Sequence, residues 1–304
     1  MNAVDISVCI VTYQAKDLLR NCLQSLFKNT QSDIEVIIVD NGSTDGTTAM
    51  LQDEFQSVRI IENPRNEGFT KPMNQALHAG QGRYMLQLNP DTIILPGALD
   101  NLSQFLDQNP DVGICGPKVL NADHTLQAPC RRGESRPWAV ISYFIGLSAL
   151  FPDSKFFGQY LMNYKGEDET HPAAGVSGSC MLIRREVTEQ IGYLDERFFA
   201  FQEDSDFCFR ARAAGWKIFY FPDAQIVHFG SMGGSHVHPY RSIYEWHKSY
   251  YLFYRKNFAR DYFFLFNWLY YLAMVVKFSL TIVANSLRKG FFIGSRRPQS
   301  PPGN

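Results

Sequence analysis

The chain has 304 residues, room for one large or two modest domains. A hydrophobic share of 45% against 19% charged residues excludes an intrinsically disordered chain. A formal net charge of -1 removes bulk positive charge as a route to nucleic acid, so no nucleic-acid partner is expected.

In chain order, Ile6–Tyr13 is a β-rich apolar run. A helical pattern over 16–28 follows, with Leu18, Leu19, Cys22, Leu23 and Leu26 toward one side. Strands are predicted at 34–39, 58–61 and 83–88, with a turn at Asn66–Gly68 and a helix over 72–79. A helix over 96–108 is predicted with Pro96 in its first turn, and a fifth strand begins at Val112. Strands separated by helices of this length predict an α/β fold with a mostly parallel sheet covered on both faces. Residues 130–172 are irregular and rich in Pro and aromatic side chains, which suggests an excursion over the active face.

Six cysteines are scattered without CxxC spacing, so neither a disulfide framework nor a zinc site is expected, and a reducing compartment fits better. No basic leader precedes the first apolar run, so a signal peptide is not expected.

Four stretches carry chemistry. The second strand runs into Asp40-Asn41-Gly42-Ser43-Thr44-Asp45-Gly46, where a ligand at a strand's carboxyl end could be read by Asp40. Turn and N-cap chemistry uses the same residue types. No GxGxxG follows the first strand, where Thr12-Tyr13-Gln14-Ala15 stands, which weighs against a dinucleotide-binding oxidoreductase. Asn89-Pro90-Asp91 ends the 83–88 strand, and Asp91 could ligate Mg²⁺ or Mn²⁺; an ordinary Asn-Pro-Asp turn accounts for it equally. Glu203, Asp204 and Asp206 open a helical run and complement its dipole. Three carboxylates in four residues exceed what capping needs, and their repulsion should raise at least one pKa, as suits a general base. His228 ends a strand, where a packed or capping histidine is more common than a ligand.

Taken in order, these stretches resemble the inverting family 2 glycosyltransferases of the GT-A fold, in the rhamnosyltransferase-like branch of bacterial cell-surface polysaccharide synthesis. Asn66-Glu67-Gly68-Phe69, Gly175-Val176-Ser177-Gly178, Asp195-Glu196-Arg197-Phe198-Phe199 and Pro222-Asp223-Ala224 extend the likeness over about residues 5–235. The resemblance implies a nucleotide-sugar donor, with dTDP-rhamnose first, and a glycan or polyprenyl-diphosphate-linked acceptor. It implies that Thr12, Tyr13, Asp40 and Ser43 line the nucleoside pocket and that Asn66 and Gly68 approach the nucleotide. Asn89 would face the ribose, Asp91 and His228 would hold a divalent cation, and Gly178, Ser179 and Glu203 would border the sugars. Asp204 would deprotonate the acceptor hydroxyl. Asn89 stands where the general pattern has an aspartate, a change this branch commonly shows. A non-catalytic nucleotide- or glycan-binding relative is the alternative. A nucleotidyltransferase is disfavoured, because no basic Gly-rich loop follows the first strand.

The catalytic domain is expected over 1–235, with a nucleotide-binding half to about 120 and an acceptor half after it. A helical segment at 236–290 and a disordered tail at 291–304 follow. Residues 262–284 are almost wholly apolar but interrupted by Asn267 and Lys277. A helix lying on the inner face of the plasma membrane is the preferred reading, over a single span or a helix packed on the catalytic domain. A cytoplasmic protein peripherally bound to that membrane is therefore expected.

Overall fold

A computed structural model describes residues 4–230 and 237–287; the expected tail at 291–304 and the last residues of the 236–290 segment lie outside them. The chain runs β1 (Ile6–Thr12), α1 (Lys16–Asn29), β2 (Ile34–Asp40), α2 (Thr47–Glu54), β3 (Arg59–Glu62), α3 (Thr70–Ala79), β4 (Tyr84–Leu88), β5 (Thr92–Ile94), α4 (Ala98–Gln108) and β6 (Val112–Leu120). An excursion follows with β7 (Arg131–Arg132), α5 (Pro137–Phe144), α6 (Leu147–Leu150), β8 (His171–Pro172) and β9 (Gly175–Val176). The chain then returns through β10 (Cys180–Arg184), α7 (Arg185–Ile191), α8 (Glu203–Ala213), β11 (Lys217–His228), α9 (Pro239–Asn257) and α10 (Phe264–Leu287).

The main sheet has the order β3-β2-β1-β4-β10-β6-β11-β5, with β8 also paired to β11. The parallel block from the strand–helix alternation covers β3-β2-β1-β4. Beyond β4 the sheet is mixed, because β10 runs antiparallel to both β4 and β6 while β11 is parallel to β6.

Strand alternation sends each sheet face to its own core. From β1, Ile6, Val8 and Ile10 join α1, α2 and α4 on one face. Cys9 and Val11 join α3, α7 and α8 on the other. The spacing of Leu19, Cys22, Leu23 and Leu26 puts all four fully under α1, and each buried leucine is worth about 1.5–3 kcal/mol. All six cysteines are buried and none forms a disulfide, so they pack as small apolar side chains.

Two local predictions change. Helix α4 starts at Ala98, because Gly97 takes a left-handed φ of 72° at its N-cap, so Pro96 lies before the helix. Strand β5 is three residues long, too short for a periodicity to show.

The sheet order reverses between β1 and β4: β2 and β3 build out one way, then the chain crosses to the other side of β1. A crevice opens at the carboxyl ends of strands at such a point. Thr12 and Asn89 both lie there.

Candidate active site

A cavity of about 340 Å³ occupies this crevice. Of the residues expected in the site, Tyr13, Asn66, Gly68, Asn89, Asp91, Gly178, Ser179, Glu203, Asp204 and His228 all line it. Thr12, Asp40 and Ser43 are not on its wall. Thr12 and Asp40 are register partners at the ends of β1 and β2, and Thr12 Oγ1 and Asp40 Oδ1 are buried without a hydrogen-bond partner. The other Asp40 oxygen accepts from the Ser43 backbone N–H at 3.0 Å. Ser43 Oγ accepts from the Gln14 N–H at 3.0 Å, tying the two strand-end loops together.

Asn66 and Gly68 are engaged with protein. Asn41 Nδ2 donates to Asn66 Oδ1 at 3.1 Å and to the Gly68 carbonyl at 2.6 Å. Gly68 has a φ of 94°, and a Cβ there would lie 2.5 Å from the Phe199 carbonyl oxygen. Close packing of Phe199 therefore accounts for this glycine.

At the far side of β4, the β11–β5 pairing sets His228 opposite Thr92. This brings His228 Nε2 to 3.2 Å from Asp91 Oδ1 and 3.3 Å from Asn89 Nδ2. Both His228 and Asp91 are buried. Gln127, which the sequence did not suggest, orients the ring. Its Nε2 donates to the His228 carbonyl and to Asn121 Oδ1, both at 3.1 Å, so its Oε1 is left to accept from His228 Nδ1 at 2.8 Å. With the proton on Nδ1, a neutral imidazole turns the Nε2 lone pair toward the Asp91 carboxylate. Two acceptors at that separation repel unless a proton or a cation lies between them. One carboxylate and one oriented imidazole fit a divalent ion whose remaining positions are open to phosphate oxygens. Among the described residues no cluster of three His, Cys, Asp or Glu side chains forms a closed metal cage.

The acidic helix start is set by two consecutive left-handed residues, Phe201 (φ 67°) and Gln202 (φ 63°). Such strain persists where surrounding structure over-determines it, often at functional sites. It delivers Glu203 and Asp204 to the cavity at the first turn of α8. Both Asp204 oxygens are engaged. Oδ2 accepts from Arg132 Nη2 at 2.6 Å and the Gly178 N–H at 2.9 Å, and Oδ1 from the Ser205 N–H at 2.6 Å. Burial pushes the Asp204 carboxyl up, but the Arg132 guanidinium and these donors outweigh it, so the group sits below the usual carboxylate range. Glu203 is the carboxylate that is raised, by burial first and by the Asp204 charge second. Its Oε2 is buried without a partner. The expected repulsion thus falls on Glu203, while Asp204 is held ionised. Asp206 points elsewhere, pairing with Arg210 at 2.9 Å and Lys256 at 2.7 Å.

The excursion and α9 supply further parts of the wall: Arg132, Tyr143 and Tyr160 from one, Arg241, Trp246 and Tyr250 from the other. None was assigned a role from the sequence.

Residues 7–192 match the family described as Glycosyl transferase family 2. The chain belongs to that family. It is 29% identical over 257 residues, covering 81% of the chain and 82% of the relative, to the N-acetylglucosaminyl-diphospho-decaprenol L-rhamnosyltransferase of Mycobacterium tuberculosis. It is 28% identical over 212 residues, 68% of the chain and 62% of the relative, to the low-salt glycan biosynthesis hexosyltransferase Agl10 of Haloferax volcanii. This family 2 glycosyltransferase shares its GT-A fold with the mannosyltransferase PcManGT of Pyrobaculum calidifontis, a structure in complex with GDP-Man and Mn²⁺. That likeness has a TM-score of 0.57 at 17% identity and covers 83% of this chain but 64% of the other. By sequence the enzyme sits with the rhamnosyltransferase-like branch, as its motif series implied.

Proposed function

We propose that this glycosyltransferase moves a sugar, rhamnose first among candidates, from a nucleoside-diphosphate donor to a hydroxyl of a lipid-linked glycan, with inversion at the anomeric carbon. The observation that carries this reading is the cavity itself: an ionised, hydrogen-bonded Asp204 faces the same space as the Asp91–His228 pair. The lipid-linked acceptor and rhamnose rest on the name of the mycobacterial relative.

In this mechanism Asp204 takes the proton of the acceptor hydroxyl as its oxygen attacks the anomeric carbon. The bond from that carbon to the donor diphosphate breaks, and the electron pair leaves with the diphosphate. Asp91 and His228 would hold a divalent cation, which when bound supplies counter-charge for the diphosphate oxygens. Asp40, with Oδ1 free and buried, would accept from a pyrimidine ring N–H. Glu203, protonated by its surroundings, would donate to a sugar oxygen.

Helix α10 supports contact with the inner membrane face. It is long and apolar enough to cross a bilayer, and its most apolar stretch is only 6% buried. Both polar interruptions turn inward. Asn267 Nδ2 donates to the Ala259 and Tyr262 carbonyls at 2.9 and 3.1 Å. Lys277 Nζ lies 4.1 Å from the Trp246 ring centre and 4.4 Å from that of Phe144. Both polar groups therefore face the protein and not the outer side of the helix.

Thermal stabilisation by dTDP, UDP and GDP, each with and without Mn²⁺, tests the donor site. Metal-dependent stabilisation by a pyrimidine nucleotide is expected, at about 2.7 kcal/mol near a hundredfold excess over the dissociation constant. No response to any of the three would move the protein to the non-catalytic alternative.

A further inference from the structure

Exposed apolar side chains are segregated on this molecule. Among the described residues, every exposed large apolar side chain except Phe27 lies between 138 and 156 or from 237 onward. The first group belongs to the excursion: Trp138, Ile145, Leu150, Phe151 and Phe156. Leu150 is 69% exposed and Ile145 64%. Trp138, Phe151 and Phe156 also form a ring cluster around Phe157, with centroid separations of 5.0–6.0 Å.

The two groups adjoin. Phe144 of α5 meets Trp246 of α9 at 6.0 Å between centroids, and Lys277 of α10 sits over both rings. Met274 of α10 packs on the same apolar cluster.

We propose that the outer side of α5–α6 and the outer face of α10 form one bilayer-contacting surface, so that the enzyme sits on the membrane through two parts distant in sequence. Three observations favour lipid over a protein partner or a second copy. Helix α10 has 24 residues, so its apolar face runs about 36 Å, at least as long as the hydrocarbon core of a bilayer is thick, about 30 Å. Trp138 and Trp268, one exposed in each group, have the amphipathic rings that partition to a membrane interface. Tyr143, Trp246 and Tyr250 belong to the cluster joining the two groups and also line the catalytic cavity. A hydroxyl carried on a lipid would thus reach the cavity without leaving the membrane surface. The proposal deepens the lipid-linked acceptor reading and rests on it for its biological sense, but its test needs no acceptor.

The full chain is floated with phosphatidylcholine vesicles, with and without phosphatidylglycerol. The wild type is expected to bind. A variant carrying Ile145→Glu, Leu150→Glu and Phe151→Glu should bind at least tenfold more weakly, while Phe27→Glu binds as wild type. Circular dichroism and melting temperature check the folds; if the triple variant melts early, Leu150→Glu alone should still weaken binding severalfold. Unchanged vesicle binding by these variants would overturn the proposal, as would a wild type that stays off vesicles. A wild-type dimer that the triple variant breaks, with vesicle binding unaltered, would assign the surface to a second copy instead. Transfer to a water-soluble acceptor, measured alongside, reports separately on the glycosyl-transfer reading.

Discussion

Arg132 and Asp204, 72 residues apart in the chain, meet at 2.6 Å on the cavity wall, both buried. Arg132 also donates to the Val176 carbonyl at 2.7 Å, which fixes the guanidinium in β7 against β9. The carboxylate proposed as general base is thereby kept ionised and aimed.

Arg132→Met should raise the Asp204 pKa, because the opposite charge that lowers it is gone. The acid limb of the pH–rate profile should move to higher pH. Breaking a buried pair by removing one partner costs about 3–5 kcal/mol, so the melting temperature should fall as well. Arg132→Lys should recover part of the stability. A profile that does not move in the Met variant would reduce Arg132 to packing.

Gln127→Leu should free the Nδ1 proton of His228 and weaken binding of Mn²⁺ by about 10–100-fold. Isothermal titration with metal, and with nucleotide in its absence, reads this out. Nucleotide affinity without metal should be unchanged. Equal loss of both would mean that Gln127 supports the fold of the 121–128 loop and not the imidazole.

How far the sequence reached follows from where each residue sits. Asp40, Asn89, Asp91 and His228 end strands whose apolar runs are visible, so their common edge could be anticipated. Gln127 and Arg132 lie in an irregular stretch, and their partners are 101 and 72 positions away, so no local spacing joins them. Trp246 and Tyr250 reach the cavity because α9 folds back over α8; their composition resembled any aromatic helix face. The short β5 left no period to read, although it is what pairs with β11 beside Asp91. The inward turn of Asn267 and Lys277 depends on tertiary packing, and from the sequence alone they read as interruptions.

Glu203→Gln should change how stability depends on pH. A carboxyl raised in the folded state keeps its proton after the unfolded chain, near the usual value of about 4.3, has lost its own. Folded wild type therefore loses stability as pH rises from that value through the raised one, then levels off. The glutamine variant carries no such loss. Its melting temperature should exceed that of wild type at pH 8 by about 2 °C or more relative to the difference at pH 4. A constant difference across that range would mean Glu203 is already ionised in the fold.

The direct test of the catalytic reading is Asp204→Asn, assayed for both sugar transfer and metal-dependent nucleotide binding. Asparagine keeps an acceptor for Arg132 and the Gly178 N–H but cannot take a proton. Transfer should drop by about 10²–10⁴-fold, with nucleotide affinity within twofold of wild type. Transfer that survives within tenfold while Glu203→Gln abolishes it would place the base at Glu203; loss of binding in step with transfer would make Asp204 structural.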